Sequence, residues 1–181
     1  MLRPKVDAAS VPVVTFALGL AAAEAIEEVS GVSCDLRWPN DVLIGDRKCA
    51  GILTELHGSA VVAGIGVNVN QSEFPPDVRE LATSLRIANG REQSREDLLA
   101  ALLGSIDRHC DILAERGPAA IFDLFTQVSS YVSGRRVTVE LTDGSVTGTT
   151  AGLTPAGFLR VRRDNGAVET IVAGGVRPAL D

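Results

Sequence analysis

The stretch from Arg37 to Leu53 constrains this chain more than any other: Arg-Trp-Pro-Asn-Asp-Val-Leu-Ile-Gly-Asp-Arg-Lys-Cys-Ala-Gly-Ile-Leu. It holds the only tryptophan, an X-Pro break, an Asn-Asp pair and an Arg-Lys pair, all beside small apolar residues. A strand that serves only a core has no use for so much polarity. A surface that must hold an anionic ligand against an apolar wall does. Pro39 disfavours helix for Trp38, and a short strand over Ser33–Arg37 leads into it. Gly45-Asp46 then sits as a turn between two extended segments, about 42–44 and 47–57, which predicts an antiparallel hairpin.

Around this run the remaining elements follow from periodicity. Residues 11–30 read as a helix with Ser10 as cap, Pro12 in the first turn and apolar residues at helical spacing from Ala17 to Val29, closed by Gly31. A strand over Ser59–Val69 follows a turn at Gly58. Residues 70–92 are polar, contain Pro75-Pro76 and read mostly as loop. Ser94 with Asp97 opens a helix over 95–116 whose face is Leu98, Leu102, Ile106 and Leu113. Gly117-Pro118 stops it and starts a second helix through Val128. From 135 onward apolar and polar residues alternate, with turns at Asp143-Gly144, Pro155–Gly157 and Asn165-Gly166, which predicts four or five short strands. The expected division falls near 132, giving units of 1–131 and 132–181. The fold class expected is α+β: a mixed or antiparallel sheet with packed helices, followed by a small β-barrel.

Composition removes several function classes. At 181 residues the chain suffices for one core, or one core plus a small appendage. No apolar run is long enough for a membrane helix, and the N-terminus lacks a secretory signal pattern, so a cytoplasmic chain is expected. Cys34, Cys49 and Cys110 are odd in number and match no metal spacing, which predicts reduced thiols. A net charge of -6 argues against bulk binding of DNA or RNA. Arg135, Arg136, Arg160, Arg162, Arg163 and Arg177 are nearly balanced by Glu140, Asp143, Asp164, Glu169 and Asp181, as on a solvated barrel face.

The chemistry concentrates in three places. Lys48 opens a strand of small residues and is a point charge suited to carboxylate or phosphate. Gly51, lacking Cβ, lets backbone approach a ligand closely; a surface lysine on an edge strand gives the same pattern. Asn40 and Asp41 offer an amide for phosphate and a carboxylate for Mg²⁺ or for orienting a basic side chain, and after Pro they are also common turn formers. Gly64-Ile65-Gly66-Val67-Asn68 lacks the following helix of a dinucleotide fingerprint, so its glycines are read as room for a flat ligand over the sheet. His57 and His109 have no ligand partner at a useful spacing.

Taken together, Trp38-Pro39-Asn40-Asp41, Lys48-x-Ala50-Gly51-Ile52-Leu53-x-Glu55, Gly64–Asn70 and Ala82-Thr83-Ser84-Leu85 resemble the biotin–protein ligase family in order and spacing. The resemblance implies a catalytic domain of the class II aminoacyl-tRNA-synthetase-like type and a closing SH3-like β-barrel. It implies a two-step reaction in which biotin and Mg·ATP give biotinyl-5′-AMP, and the acyl group passes to a lysine of a biotin carboxyl carrier protein domain. On this reading Lys48 is catalytic and, with Gly51, Ile52 and Leu53, binds biotin. Arg37, Trp38, Asn40, Asp41 and Asn68 bind ATP or the adenylate, and Asp41 holds Mg²⁺. Arg37 stands where many relatives have lysine. The resemblance further implies that the stretch before the first long helix is shortened. The biotin-site segment with its Gly-Arg-Gly-Arg-type loop, an N-terminal strand and a DNA-binding helix-turn-helix are then lacking, which impairs the reaction. A non-catalytic carrier-binding or self-associating module is the alternative, and a lipoate-attaching ligase a third reading. No DNA and no membrane partner are expected, and a homodimer is open.

Overall fold

The computed structural model describes residues 11–57 and 60–179. The expected cap at Ser10 and the turn at Gly58 lie outside them. The first element, α1 (Val11–Ser30), buries nearly every position from Val13 to Ile26, and Glu24, Glu27 and Glu28 face solvent. Its many alanines permit this: small side chains let the helix pack against neighbours on more than one side. Gly31, at φ 69°, closes it and returns its N–H to the Glu27 carbonyl at 2.9 Å.

Four strands follow, β1 (Asp35–Arg37), β2 (Asp41–Ile44), β3 (Arg47–His57) and β4 (Ala60–Val67), forming an antiparallel sheet in the order β1-β2-β3-β4. The hairpin anticipated around Gly45-Asp46 is present. The first strand begins at Asp35 rather than Ser33, and β4 ends at Val67. One face of the sheet carries Val42, Ala50, Ile52 and Val61 into the core, where α1 lies against β3. The opposite face of β3 and β4 is open, with Leu53 63% exposed.

The segment expected as loop differs in one respect: it contains α2 (Leu85–Asn89). Ser84 Oγ accepts the Ile87 N–H, and Gly90, at φ 73°, ends the helix. A helix of five residues offers too few turns for any periodicity to register. The long α3 (Arg95–Val128) is two helices meeting at Gly117 (φ 77°, ψ 179°) and Pro118, as the Gly-Pro pair predicts. Ser94 Oγ accepts the Asp97 N–H at its start. The seam between α1 and α3 is clipped by Ser105 Oγ donating to Glu24 at 2.5 Å, with Arg108 on the same carboxylate at 3.0 Å. Burial pushes the Glu24 carboxyl up, but bonds from Ser105 and Arg108 outweigh it and hold the group below its ordinary value.

The remaining strands are β5 (Ser133–Leu141), β6 (Gly144–Leu153), β7 (Leu159–Arg162), β8 (Val168–Ile171) and β9 (Gly175–Pro178). They form a second antiparallel sheet in the order β8-β7-β6-β5-β9. Val137, Val139, Val146, Leu159, Val161, Ile171 and Val176 are its buried face. The two sheets meet at Trp38, which is 2% exposed and donates its indole N–H to the Gly157 carbonyl at 3.0 Å. Gly157 adopts φ 81°, and a Cβ there would lie 2.7 Å from Phe122. Phe16 meets Phe122 and Phe125 edge-on at 5.2 and 4.7 Å beside this contact. Trp38→Phe keeps the aromatic body but leaves the buried Gly157 carbonyl without its donor. The loss is about 1–3 kcal/mol, visible as a lower urea midpoint; an unchanged midpoint would show that the bond does not hold the seam.

Candidate active site

Hairpin register places the charged residues. Arg37 pairs with Asp41 across β1 and β2, and Asp41 pairs with Gly51 across β2 and β3. The β2–β3 register shifts between Val42 and Leu43, an irregularity that re-aims the side chains of the strand it interrupts. Lys48 folds back across Gly51: a Cβ on Gly51 would lie 2.8 Å from both Cε and Nζ of the lysine. Its ammonium meets Asp41 Oδ1. Asp41 Oδ2 accepts from Arg37 Nε at 3.2 Å and Nη2 at 2.7 Å. Arg37 and Asp41 are largely buried, and the Lys48 side chain is 44% exposed. One carboxylate thus fixes two cations and leaves a net positive charge beside the open face.

The backbone of Lys48 is held as firmly. Its N–H donates to the Leu81 carbonyl at 2.7 Å and its carbonyl accepts from Thr83 at 2.9 Å, an isolated parallel bridge that carries residues 81–83 alongside β3. That segment walls a trough of about 800 Å³ whose floor is the open face of β3 and β4. Gly51 lies opposite Gly66 and Leu53 opposite Gly64 in the register. A Cβ on Gly64 or Gly66 would meet no atom within 4 Å. Packing of the chain therefore does not require these glycines; what their lack of side chain creates is free volume over the strands. A second cavity of about 540 Å³ opens between Lys48, Arg37 and Asp41 on one side and Gly175–Arg177 on the other. Lys48 and Leu81 line both spaces.

Each candidate residue has a definite place. Lys48, Gly51, Leu53, Asn40 and Asn68 line the trough. Asn40 is locked to Ile52: its Nδ2 donates to the Ile52 carbonyl at 2.7 Å, and its own carbonyl accepts the Ile52 N–H at 2.9 Å. Asn68 donates through Nδ2 to the Thr83 carbonyl at 3.0 Å. Ile52 touches the trough through backbone alone, because its side chain is 2% exposed and belongs to the core. Trp38, with its N–H given to Gly157, supports the second cavity from behind. A metal at Asp41 fits poorly. Both carboxylate oxygens already face cations, and among the described residues no three His, Cys, Asp or Glu side chains gather as ligands.

Other reactive groups stand apart. Burial pushes the Cys49 thiol up to about 12, so it is no nucleophile at neutral pH. His109 approaches Glu24 and Ser105, but Ser105 is fully buried on the α1–α3 seam, out of reach of any substrate. His57 is exposed at the end of β3. Asn70 exchanges hydrogen bonds of 2.9 Å with the Gln93 backbone at both ends of its amide, a structural tie. Sequence reasoning missed Leu81 as the partner of Lys48, and Tyr131 beneath Arg37, because neither contact has a local signature.

Fold and site together define a helix-backed antiparallel sheet whose free face is a glycine-floored trough, with cations at one end and a small β unit across a seam. Comparison with known proteins narrows the class. Residues 1–72 match the model described as the biotin/lipoate A/B protein ligase family, and residues 132–176 match the biotin protein ligase C-terminal domain. The bifunctional ligase/repressor BirA of Bacillus subtilis is 37% identical over 110 residues, covering 57% of this chain and 34% of that protein. The biotin–[acetyl-CoA-carboxylase] ligase of Mycobacterium tuberculosis is 33% identical over 133 residues, covering 72% of this chain and 48% of that protein. The biotin protein ligase of Aquifex aeolicus superposes with TM-score 0.88 at 29% identity, covering 98% of this chain and 79% of that one; the same Aquifex protein has been solved in complex with biotin and ATP. The chain belongs to the biotin protein ligase family. It spans about a third to a half of the length of these two curated relatives.

Gly51→Ala tests the fold-back of Lys48 directly. The added methyl group crowds the far end of a flexible side chain and lies in ordinary contact with Asp41 Oδ1 at 3.8 Å, so stability changes by less than about 1 kcal/mol, while the ammonium is forced off Asp41. A crystal structure of the variant with Lys48 still on Asp41 would refute the geometry.

Proposed function

We propose that the chain serves ATP-dependent ligation of biotin to a lysine of a biotin carboxyl carrier protein domain, by way of biotinyl-5′-AMP. The observation that carries this reading is the placement of the Lys48 ammonium, anchored by Asp41, over the glycine floor of the trough. In the first step the biotin carboxylate attacks the α-phosphorus of ATP; a P–O bond forms and the bond to pyrophosphate breaks. Both reactants are anions, so a fixed cation at the meeting point removes repulsion and stabilises charge on the phosphorus oxygens. In the second step the neutral amine of the acceptor lysine attacks the acyl carbon, AMP leaves and the nitrogen loses its proton.

The other residues take roles their positions support. Gly51 and Leu53 with the backbone of Ile52 form the biotin floor, and the free volume above Gly64 and Gly66 admits the flat part of a ligand. Arg37 and Asp41 fix Lys48 and present a positive edge to phosphate. Asn40 and Asn68 bound the trough and serve the nucleotide, and Trp38 holds the wall behind them. Mg²⁺ would enter with the triphosphate, and Asp41 acts on cations of the protein. The carrier domain would meet the open side of the trough, with residues 1–131 as the catalytic unit and 132–181 as the closing one. A second copy would use the outer edge of β4, which pairs with no strand among the described residues. A cytoplasmic setting fits the three free thiols. Among the described residues no helix is long and apolar enough to cross a membrane.

Pyrophosphate release on mixing the chain with biotin, ATP and Mg²⁺, followed by label transfer to a carrier domain, tests the reading. Lys48→Ala is expected to lower the first step by about 10²–10³-fold without changing the fold. Gly66→Val is expected to leave the thermal midpoint within a few degrees and abolish biotin binding. Release that persists at the original rate in Lys48→Ala would remove the lysine from the mechanism, and a folded chain that releases none would refute the activity.

A further inference from the structure

The site is tied to the second sheet by a cluster that the proposed chemistry does not use. Tyr131, the only tyrosine of the chain, is fully buried just before β5. Two guanidinium groups lie over its ring, Arg135 at 4.1 Å and Arg37 at 5.8 Å from the centroid. Its hydroxyl donates to Asp46 Oδ1 at 3.2 Å, and Asp46 is in turn ion-paired with Arg135. Burial raises the phenol above its ordinary value, so the hydroxyl remains a donor across the working range.

The segment holding this ring is itself stitched to β1. Ser129 Oγ donates to the Leu36 carbonyl at 2.5 Å and accepts the Tyr131 N–H at 3.2 Å. Ser130 bonds both oxygens of Asp35, through its N–H at 2.8 Å and its hydroxyl at 2.5 Å. These bonds leave the ring little freedom relative to the residue that follows Leu36, which is Arg37. From Arg37 the contacts run to Asp41 Oδ2, and from Asp41 Oδ1 to Lys48.

We infer that Tyr131 is a positioning residue for Lys48: its ring holds the Arg37 guanidinium in the plane that grips one oxygen of Asp41, leaving the other oxygen for the lysine. A flexible arginine has many rotamers, and a cation–π contact with a desolvated ring selects among them. Without the ring Arg37 gains freedom, Asp41 turns, and the ammonium over Gly51 loses its fixed place. The inference rests on the role given to Lys48 above. Because that role is exercised in the transition state, loss of position lowers kcat more than it raises KM.

The test is a double-mutant cycle on pyrophosphate release, with an NMR readout that does not depend on turnover. Tyr131→Phe keeps the ring and loses only the hydroxyl, and is expected to stay within about twofold of the parent. Tyr131→Leu is expected to lower kcat about tenfold with the KM for biotin within about twofold. In an Arg37→Lys background, where the two-pronged grip is already gone, Tyr131→Leu is expected to add less than about twofold. If Tyr131→Leu does not fold, Tyr131→Met fills the volume without a π face and replaces it. In parallel, the Arg37 Nε–H resonance, assigned by its loss in Arg37→Lys, is expected to be protected from exchange in the parent and in Tyr131→Phe, and unprotected in Tyr131→Leu. A tenfold loss that persists in the Arg37→Lys background would overturn the inference, as would a resonance equally protected in all three proteins. A parent chain silent in turnover but showing the expected pattern of protection would refute the activity and leave the positioning role standing.

Discussion

Everything in the site depends on one carboxylate shared between two cations. Asp41 is largely buried, and a lone charge there would suffer a heavy desolvation penalty. Arg37 and Lys48 offset that penalty from opposite oxygens, and the result is a rigid positive edge on an otherwise apolar sheet. The arrangement needs three strands in register. Arg37 must lie across from Asp41, Asp41 across from Gly51, and Lys48 must have an unobstructed path over a residue without a side chain. A slip of one residue would turn Asp41 or Gly51 to the core face and dismantle the edge. The bond from the Lys48 N–H to Leu81, outside the sheet, anchors the remaining end.

Two kinds of glycine show how fold and function divide the same residue. Gly157 is structural in the strict sense: its φ is 81°, a Cβ would strike Phe122, and its carbonyl receives the Trp38 indole. Gly64 and Gly66 are the reverse. Their backbone is ordinary strand, and a Cβ would enter empty space. Glycine weakens a strand interior by leaving it more conformational freedom and nothing to pack, so two of them on one strand lower stability without a packing return. The return lies in the trough. The volume over β4 that these two glycines leave unfilled is the space the proposed ligand would take.

Much of this was legible in the sequence because it is local. The hairpin around Gly45-Asp46, the long helices, the Gly117-Pro118 interruption and the glycine strand all follow from local patterns. Of the candidate residues, Asn40, Lys48, Gly51, Leu53 and Asn68 line the trough, and Arg37, Trp38 and Asp41 line the cavity beside it. What escaped is what the chain assembles at a distance. α2 carries no period in its five residues and so does not stand out from a stretch that reads mostly as loop. Strand alternation sends the Ile52 side chain to the core while Gly51 and Leu53 face outward, so the trough meets Ile52 through its backbone. The Asn-Asp pair is open in the sequence between a turn, a phosphate or metal site and the orientation of a basic side chain. Only the register, which puts Asp41 between Arg37 and Lys48, selects orientation of basic side chains. Tyr131 lies nearly a hundred residues from Arg37, and no spacing rule reaches that far.

The arginine at 37, where the resemblance leads one to expect lysine, fits this geometry on physical grounds. A guanidinium presents its N–H groups in a planar fork, and here Nε and Nη2 both fall on Asp41 Oδ2. That doubling concentrates the arginine on one oxygen and leaves Oδ1 for Lys48 alone. An ammonium at the same place is a compact point charge with rotatable donors, and nothing in its shape would keep it from straying between the two oxygens. The fork also has a flat face to lay over Tyr131, which an ammonium lacks. Arginine at this position therefore links the seam of the second sheet to the charge over the trough. The position of Lys48 follows from the packing of a ring that no substrate touches.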